Sequence, residues 1–116
     1  MTKWRILFFT LINVVLLVTG QVVWKMGMNK ISKMSFIALF SSPFIWVGAA
    51  LYAVATVLWL YILKNADLSF AYPLQSMAYV LGIILGHVIF GETISLWTLT
   101  GIGLIILGVA AIVAGK

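Results

Sequence analysis

Four long apolar stretches divide the chain, at about residues 6–26, 43–63, 70–90 and 96–114. Each is close to the ~20 residues that carry an α-helix across a hydrocarbon core ~30 Å thick. The pattern predicts an all-α integral membrane protein, a single four-helix transmembrane domain over residues 1–116. An even number of crossings puts both termini on one side. The polar breaks are short, at residues 29–35, 64–69 and 91–93, and none has room for a soluble catalytic site. Residues 36–40, Phe-Ile-Ala-Leu-Phe, read equally as an interfacial helix or as the first turns of a tilted second span.

Polar residues inside the spans fall into stripes. In the first, Thr10, Asn13, Gln21 and Lys25 recur near helical spacing with Gly20 beside them. The second has Gly48, Tyr52, Thr56 and Trp59 at steps of three and four. The third has Tyr72, Gln75, Ser76, Tyr79, Gly82, Gly86 and His87. Hydrocarbon satisfies no hydrogen bond, so these stripes predict a shared interior or a watery cavity. The fourth span differs. It has no polar residue after Thr100, while Gly101, Gly108 and Gly115 repeat every seven residues, a spacing that lets helix backbones approach closely. Those glycines are the expected dimer seam, with ordinary packing inside the chain as the alternative.

Composition strengthens the membrane assignment: 65% of residues are hydrophobic and 8% charged, with the charges gathered near the span ends. The apolar run after Lys3 and Arg5 is longer than a signal-peptide core, and Val18-Thr19-Gly20 is a poor cleavage site, so it is expected to persist as a helix. Cysteine is absent and His87 is the lone histidine, so neither a thiolate nor a clustered metal site is expected. Nothing in the chain points to a cofactor or to nucleic acid. Lys3, Arg5, Lys64 and Lys116 on the terminal side stand against Lys25, Lys30 and Lys33 on the other, four to three. Such balance gives the positive-inside rule little purchase. It fits insertion both ways and an antiparallel dimer as well as a single orientation with the termini inside.

The segment from Leu60 to Val109, with LSFAYP opening the third span, GE in the third break and G-x-G-L-I-x-x-G-V in the fourth span, resembles the four-helix members of the drug/metabolite transporter superfamily. Within it, small multidrug resistance exporters carry a membrane glutamate eight residues before the lysine that ends the first helix. Counting back from Lys25 gives Leu17, and Asp67 and Glu92 both lie in breaks. A neutral leucine neither titrates nor pairs with a cation, which disfavours proton-coupled export of lipophilic cations. Gly20-Gln21 with Lys25, the Trp59-x-x-x-Leu63 spacing and Ala71-Tyr72-Pro73 are instead similar to the small subunits thought to flip aminoarabinose joined to undecaprenyl phosphate.

That resemblance implies a multi-pass protein of the bacterial inner membrane. It also implies a membrane-lipid substrate with an anionic head and a polyprenyl tail, and pairing with a second copy or a paralogue. On this reading Lys25 pairs with phosphate, and Asn13 and Gln21 offer amide groups to a sugar or phosphate. Tyr52, Trp59, Tyr72, Gln75 and Tyr79 complete the pocket, while Pro73 and Gly82 let the third helix bend. Plainer roles stand beside these. Lys25 could snorkel, the amides could bridge helices, and the tryptophans could form an interface belt. His87 could bond a neighbouring helix or the interface, and Glu92 could start the fourth helix. Two other functions compete, export of small polar metabolites or drugs and a non-transporting partner subunit. No carboxylate pair, nucleophile with its base or metal cluster supports an enzyme.

Overall fold

The computed structural model describes residues 2–116. Among these, the chain forms helices α1 (Lys3–Lys30), α2 (Phe36–Ser41), α3 (Pro43–Asn65), α4 (Leu68–Leu74), α5 (Met77–Phe90) and α6 (Leu96–Ala114). Helices α4 and α5 follow one another as the third of four crossings long and apolar enough to span a bilayer.

Local chemistry sets the boundaries. The Thr2 hydroxyl accepts from the Arg5 amide at 3.4 Å to start α1, and Ser95 accepts from Thr98 at 3.2 Å to start α6. Pro43 occupies the first turn of α3, where its missing N–H leaves no gap in the ladder. The residue before a proline is held out of the helical region, and Ser42 is extended at φ −81°, ψ 122°. Residues 36–41 are therefore a separate short helix and not the start of the second span. Its Phe36 and Ile37 are exposed, and the Trp46 indole N–H ties it to α3 through the Phe40 carbonyl at 2.8 Å. At the other boundary, Gly91 at φ +68° ends α5 in the left-handed conformation that glycine adopts freely.

The closest packing is between α1 and α3. A Cβ on Gly20 would sit 3.3 Å from the Gly48 carbonyl, and one on Gly27 would press on Phe44. Small residues thus bring these backbones together, as membrane helix pairs require. A second core gathers Ile6, Ile62, Phe70, Ala71, Leu74 and Val109 near the chain ends. There Lys3 Nζ donates to the Val113 carbonyl at 3.1 Å and Lys116 pairs with Asp67 at 3.2 Å. Both termini and the connection between α3 and α4 share this end. Helix α6 stands apart, touching α5 and α4 lightly, with Val109 its one buried residue.

Candidate functional site

Beyond the terminal core, α1, α3 and the third crossing separate around a cleft of about 600 Å³. Gln21 from α1, Tyr52 from α3, and Tyr72, Gln75 and Tyr79 from the third crossing all line it, joined by Ser76. Five of the eight residues expected at a binding site thus meet in one place. Tyr72 and Tyr79 are 62% and 68% exposed, so the cleft is open along the third crossing. Leu17 also lines it. The position that would carry an exporter's carboxylate therefore faces the cleft and is apolar.

The third crossing is broken where it borders this space. Gln75 donates to the Tyr72 carbonyl at 3.1 Å, Ser76 to Pro73 at 3.0 Å, Ala78 to Gln75 at 2.9 Å and Tyr79 to Ser76 at 3.0 Å. These are i to i+3 bonds, an overwound joint between α4 and α5. The break begins just after Pro73, which lies inside α4 and supplies no N–H to that helix. Of the two bending points expected, the break lies by Pro73, whereas Gly82 sits inside an unbroken α5 and lines the cleft. Overwinding also turns Gln75, Ser76, Ala78 and Tyr79 toward the same space.

Three expected site residues lie elsewhere. Trp59 packs against the terminal core, its ring 6.1 Å from that of Tyr72, so it supports the wall without lining it. Lys25 is exposed, one turn beyond Gln21, and does not line the cleft. Asn13 is wholly buried, as is Thr10. The α1 stripe is therefore divided by depth: Thr10 and Asn13 inside the protein, Gln21 on the cleft, Lys25 outside. Thr56 does not line the cleft either, and its hydroxyl donates to the Tyr52 carbonyl of its own helix at 2.9 Å.

His87 and Glu92 are remote from the cleft. His87 Nδ1 donates to the Glu92 carbonyl at 2.7 Å, which fixes the ring on the connection after α5. The Glu92 carboxylate folds back over Gly86, where a Cβ would collide with it. It does not begin α6, whose cap is Ser95, so the expected helix-start role is replaced by a clip on the end of α5. In the fourth crossing, a Cβ on Gly101, Gly103 or Gly108 would meet nothing within 4 Å, and one on Gly115 would meet its own helix. These glycines do not serve packing inside the chain.

The cleft offers amides, hydroxyls and aromatic faces and, among the described residues, no charged side chain lines it. Such a surface binds polar matter by hydrogen bonds and stacking. Sequence reasoning omitted Leu17, Val18 and Ala78 from the lining, since an apolar residue on a membrane helix carries no mark of facing a cavity. Four apolar crossings, three of them bordering a cleft that carries polar groups, define a small multi-pass membrane transporter. The sequence matches the EamA-like transporter family over residues 1–114, and the chain belongs to that family.

Its relatives extend the resemblance. The chain is 34% identical over 131 residues to the probable 4-amino-4-deoxy-L-arabinose-phosphoundecaprenol flippase subunit ArnF of Shewanella sediminis, covering 97% of this chain and 90% of that protein. It is 38% identical over 63 residues to the corresponding ArnE subunit of Pectobacterium atrosepticum, 54% of this chain and 56% of that one. To the ArnE subunit of Pseudomonas fluorescens it is 26% identical over 112 residues, 95% of each. The likeness to flippase subunits of the drug/metabolite transporter superfamily is thereby borne out. No solved structure matches the chain.

Proposed function

We propose that this protein is a flippase subunit that moves a lipid-linked anionic head group, a polyprenyl phosphate or its sugar conjugate, across a bacterial inner membrane by alternating access. The observation that carries the reading is the meeting of Gln21, Tyr52, Tyr72, Gln75 and Tyr79 around a cleft open on the side of the third crossing. A head group enters such a cleft while its tail stays in lipid. Gln21 and Gln75 supply donors and acceptors, and the tyrosines supply hydroxyls and ring faces. The relatives' names, which specify an aminoarabinose-phosphoundecaprenol, support the same substrate class.

Pairing belongs to this reading. Four crossings form half of a symmetric path, and a second copy or a paralogous subunit supplies the rest. The open glycine face of α6 is the proposed seam. Export of lipophilic cations by a titrating carboxylate is disfavoured by Leu17, and the cleft lacks any nucleophile with its base that would support an enzyme.

Native mass spectrometry of the purified protein with undecaprenyl phosphate and its glycosylated forms tests the assignment. Selective retention of these lipids over ordinary phospholipids is expected, weakened in Gln21→Leu with Gln75→Leu. Indiscriminate lipid binding, equal in both proteins, would remove the functional role of the cleft.

A further inference from the structure

Several polar side chains on these crossings are satisfied by the carbonyl one turn back. Thr19 donates to Val15, Thr56 to Tyr52, Asn65 to Tyr61 and Thr100 to Leu96, at 2.6 to 2.9 Å. Thr10 and Asn13 break this habit. Both are 0% exposed, and neither the Thr10 hydroxyl nor either end of the Asn13 amide has a hydrogen-bond partner among the described residues. Polar groups buried so are unfavourable, and a partner met at some other moment is the physical explanation for keeping them.

Their position says which moment. Thr10, Asn13, Leu17 and Gln21 stand at i, i+3, i+7 and i+11, one face of α1. Leu17 and Gln21 line the cleft, so Thr10 and Asn13 continue its α1 wall toward the terminal end. The other wall is the overwound joint of residues 72–79, a stretch that changes length by exchanging i+3 for i+4 bonds. We infer that Thr10 and Asn13 form a second polar station on the substrate path, closed in this state and opened by movement of the α4–α5 joint, that takes a hydroxyl-bearing, glycosyl head group. The ligand class follows from their chemistry: an amide and a hydroxyl present both donors and acceptors, and sugar hydroxyls answer both, whereas an ionised phosphate only accepts. The choice of ligand rests on the flippase reading; the opening of the station does not.

The absence of cysteine gives a direct test. Asn13→Cys, and Thr10→Cys as an independent second probe, are labelled with a water-soluble, membrane-impermeant maleimide in the full chain reconstituted in liposomes. Ser76→Cys on the cleft is the open reference, and Ala55→Cys, also 0% exposed but apolar, is the closed one. Labelling at both positions is expected to be slower than at Ser76→Cys by roughly 10- to 1,000-fold, as for a state populated at about 0.1–10%, yet faster than at Ala55→Cys. Labelling no faster than Ala55→Cys overturns the station. A glycosylated polyprenyl phosphate is expected to slow labelling more than the unglycosylated lipid does; equal protection overturns the sugar assignment. If the stations label but the unaltered chain retains neither lipid, the station stands and the flippase reading falls.

Discussion

The Trp24 indole stacks on the Tyr52 ring, with 5.4 Å between centroids and 20° between planes. Its N–H donates to the Ile45 carbonyl at 3.0 Å. The arrangement depends on residue 48, because a Cβ on Gly48 would fall on Cδ1 and Nε1 of the indole. Stack, hydrogen bond and glycine seat hold α1 to α3 beside the cleft and fix the Tyr52 wall.

Gly48→Ala should therefore destabilise the protein by about 1–3 kcal/mol, the usual effect of forcing extra volume into a packed site. Thermal unfolding in detergent reads the loss. With the indole removed by Trp24→Ala, the same methyl group has room, so the double variant should be clearly less destabilised than the sum of the singles. Additive losses would show that the indole is not what excludes the side chain.

The α4–α5 joint yields a prediction of opposite sign. An interior proline costs a helix up to about 3 kcal/mol relative to alanine, so Pro73→Ala should raise thermal stability by part of that amount as residues 72–79 rewind toward α-helix. If the joint works in transport, the variant should retain lipid while translocation in liposomes slows several-fold. Faster or unchanged translocation would remove the joint from the mechanism.

Much of this fold is legible in the sequence because the bilayer restricts the choices. Helices α3 and α6 start at Pro43 and Leu96, where the second and fourth apolar stretches begin, and α6 runs to Ala114. The first crossing is longer than its apolar run, Lys3–Lys30, because a helix needs no hydrophobicity to continue into the interface and nothing in Gly27-Met28-Asn29-Lys30 stops it. The stripes contribute Gln21, Tyr52, Tyr72, Gln75 and Tyr79 to one space. They fail on depth. Helical periodicity gives direction around an axis, so Asn13 and Lys25 share a stripe with Gln21, yet one is sealed inside and the other is outside. Where each lands depends on how far α5 leans on α1, a tertiary matter. The exact site of the break was likewise hidden, since Pro73 announces a bend without saying that the overwinding runs on to Tyr79.

Lys25 and Gln21 should separate by salt. An exposed lysine outside the cleft acts through a screened field, so Lys25→Ala should weaken retention of a phosphorylated lipid by under about 1 kcal/mol, a difference that fades as ionic strength rises. Gln21→Leu removes a hydrogen-bonding group from the cleft wall and should cost about 0.5–1.5 kcal/mol at any salt. Titrating lipid retention in low and high salt distinguishes them. A salt-independent loss in Lys25→Ala would place the ammonium in direct, desolvated contact with the phosphate and move the site outward from the cleft.

Leucine at Gly108 meets no atom within reach of the new Cβ, so the isolated chain should tolerate it, and leucine's better helix propensity than glycine, worth under about 1 kcal/mol, favours the folded form. Between two copies the outcome reverses. The proposed seam of Gly101, Gly108 and Gly115 would let backbones approach, and a branched side chain in its middle would hold them apart. Gly108→Leu should then convert a dimer in mild detergent to monomer without lowering its unfolding temperature. Gly103 provides the control, since it lies about 200° around the helix from Gly101 and its Cβ would also meet nothing within 4 Å. Gly103→Leu should leave pairing intact. Loss of the dimer in both variants, or in neither, would detach the seven-residue glycine repeat from pairing, and the second half of the transport path would have to be met on another face.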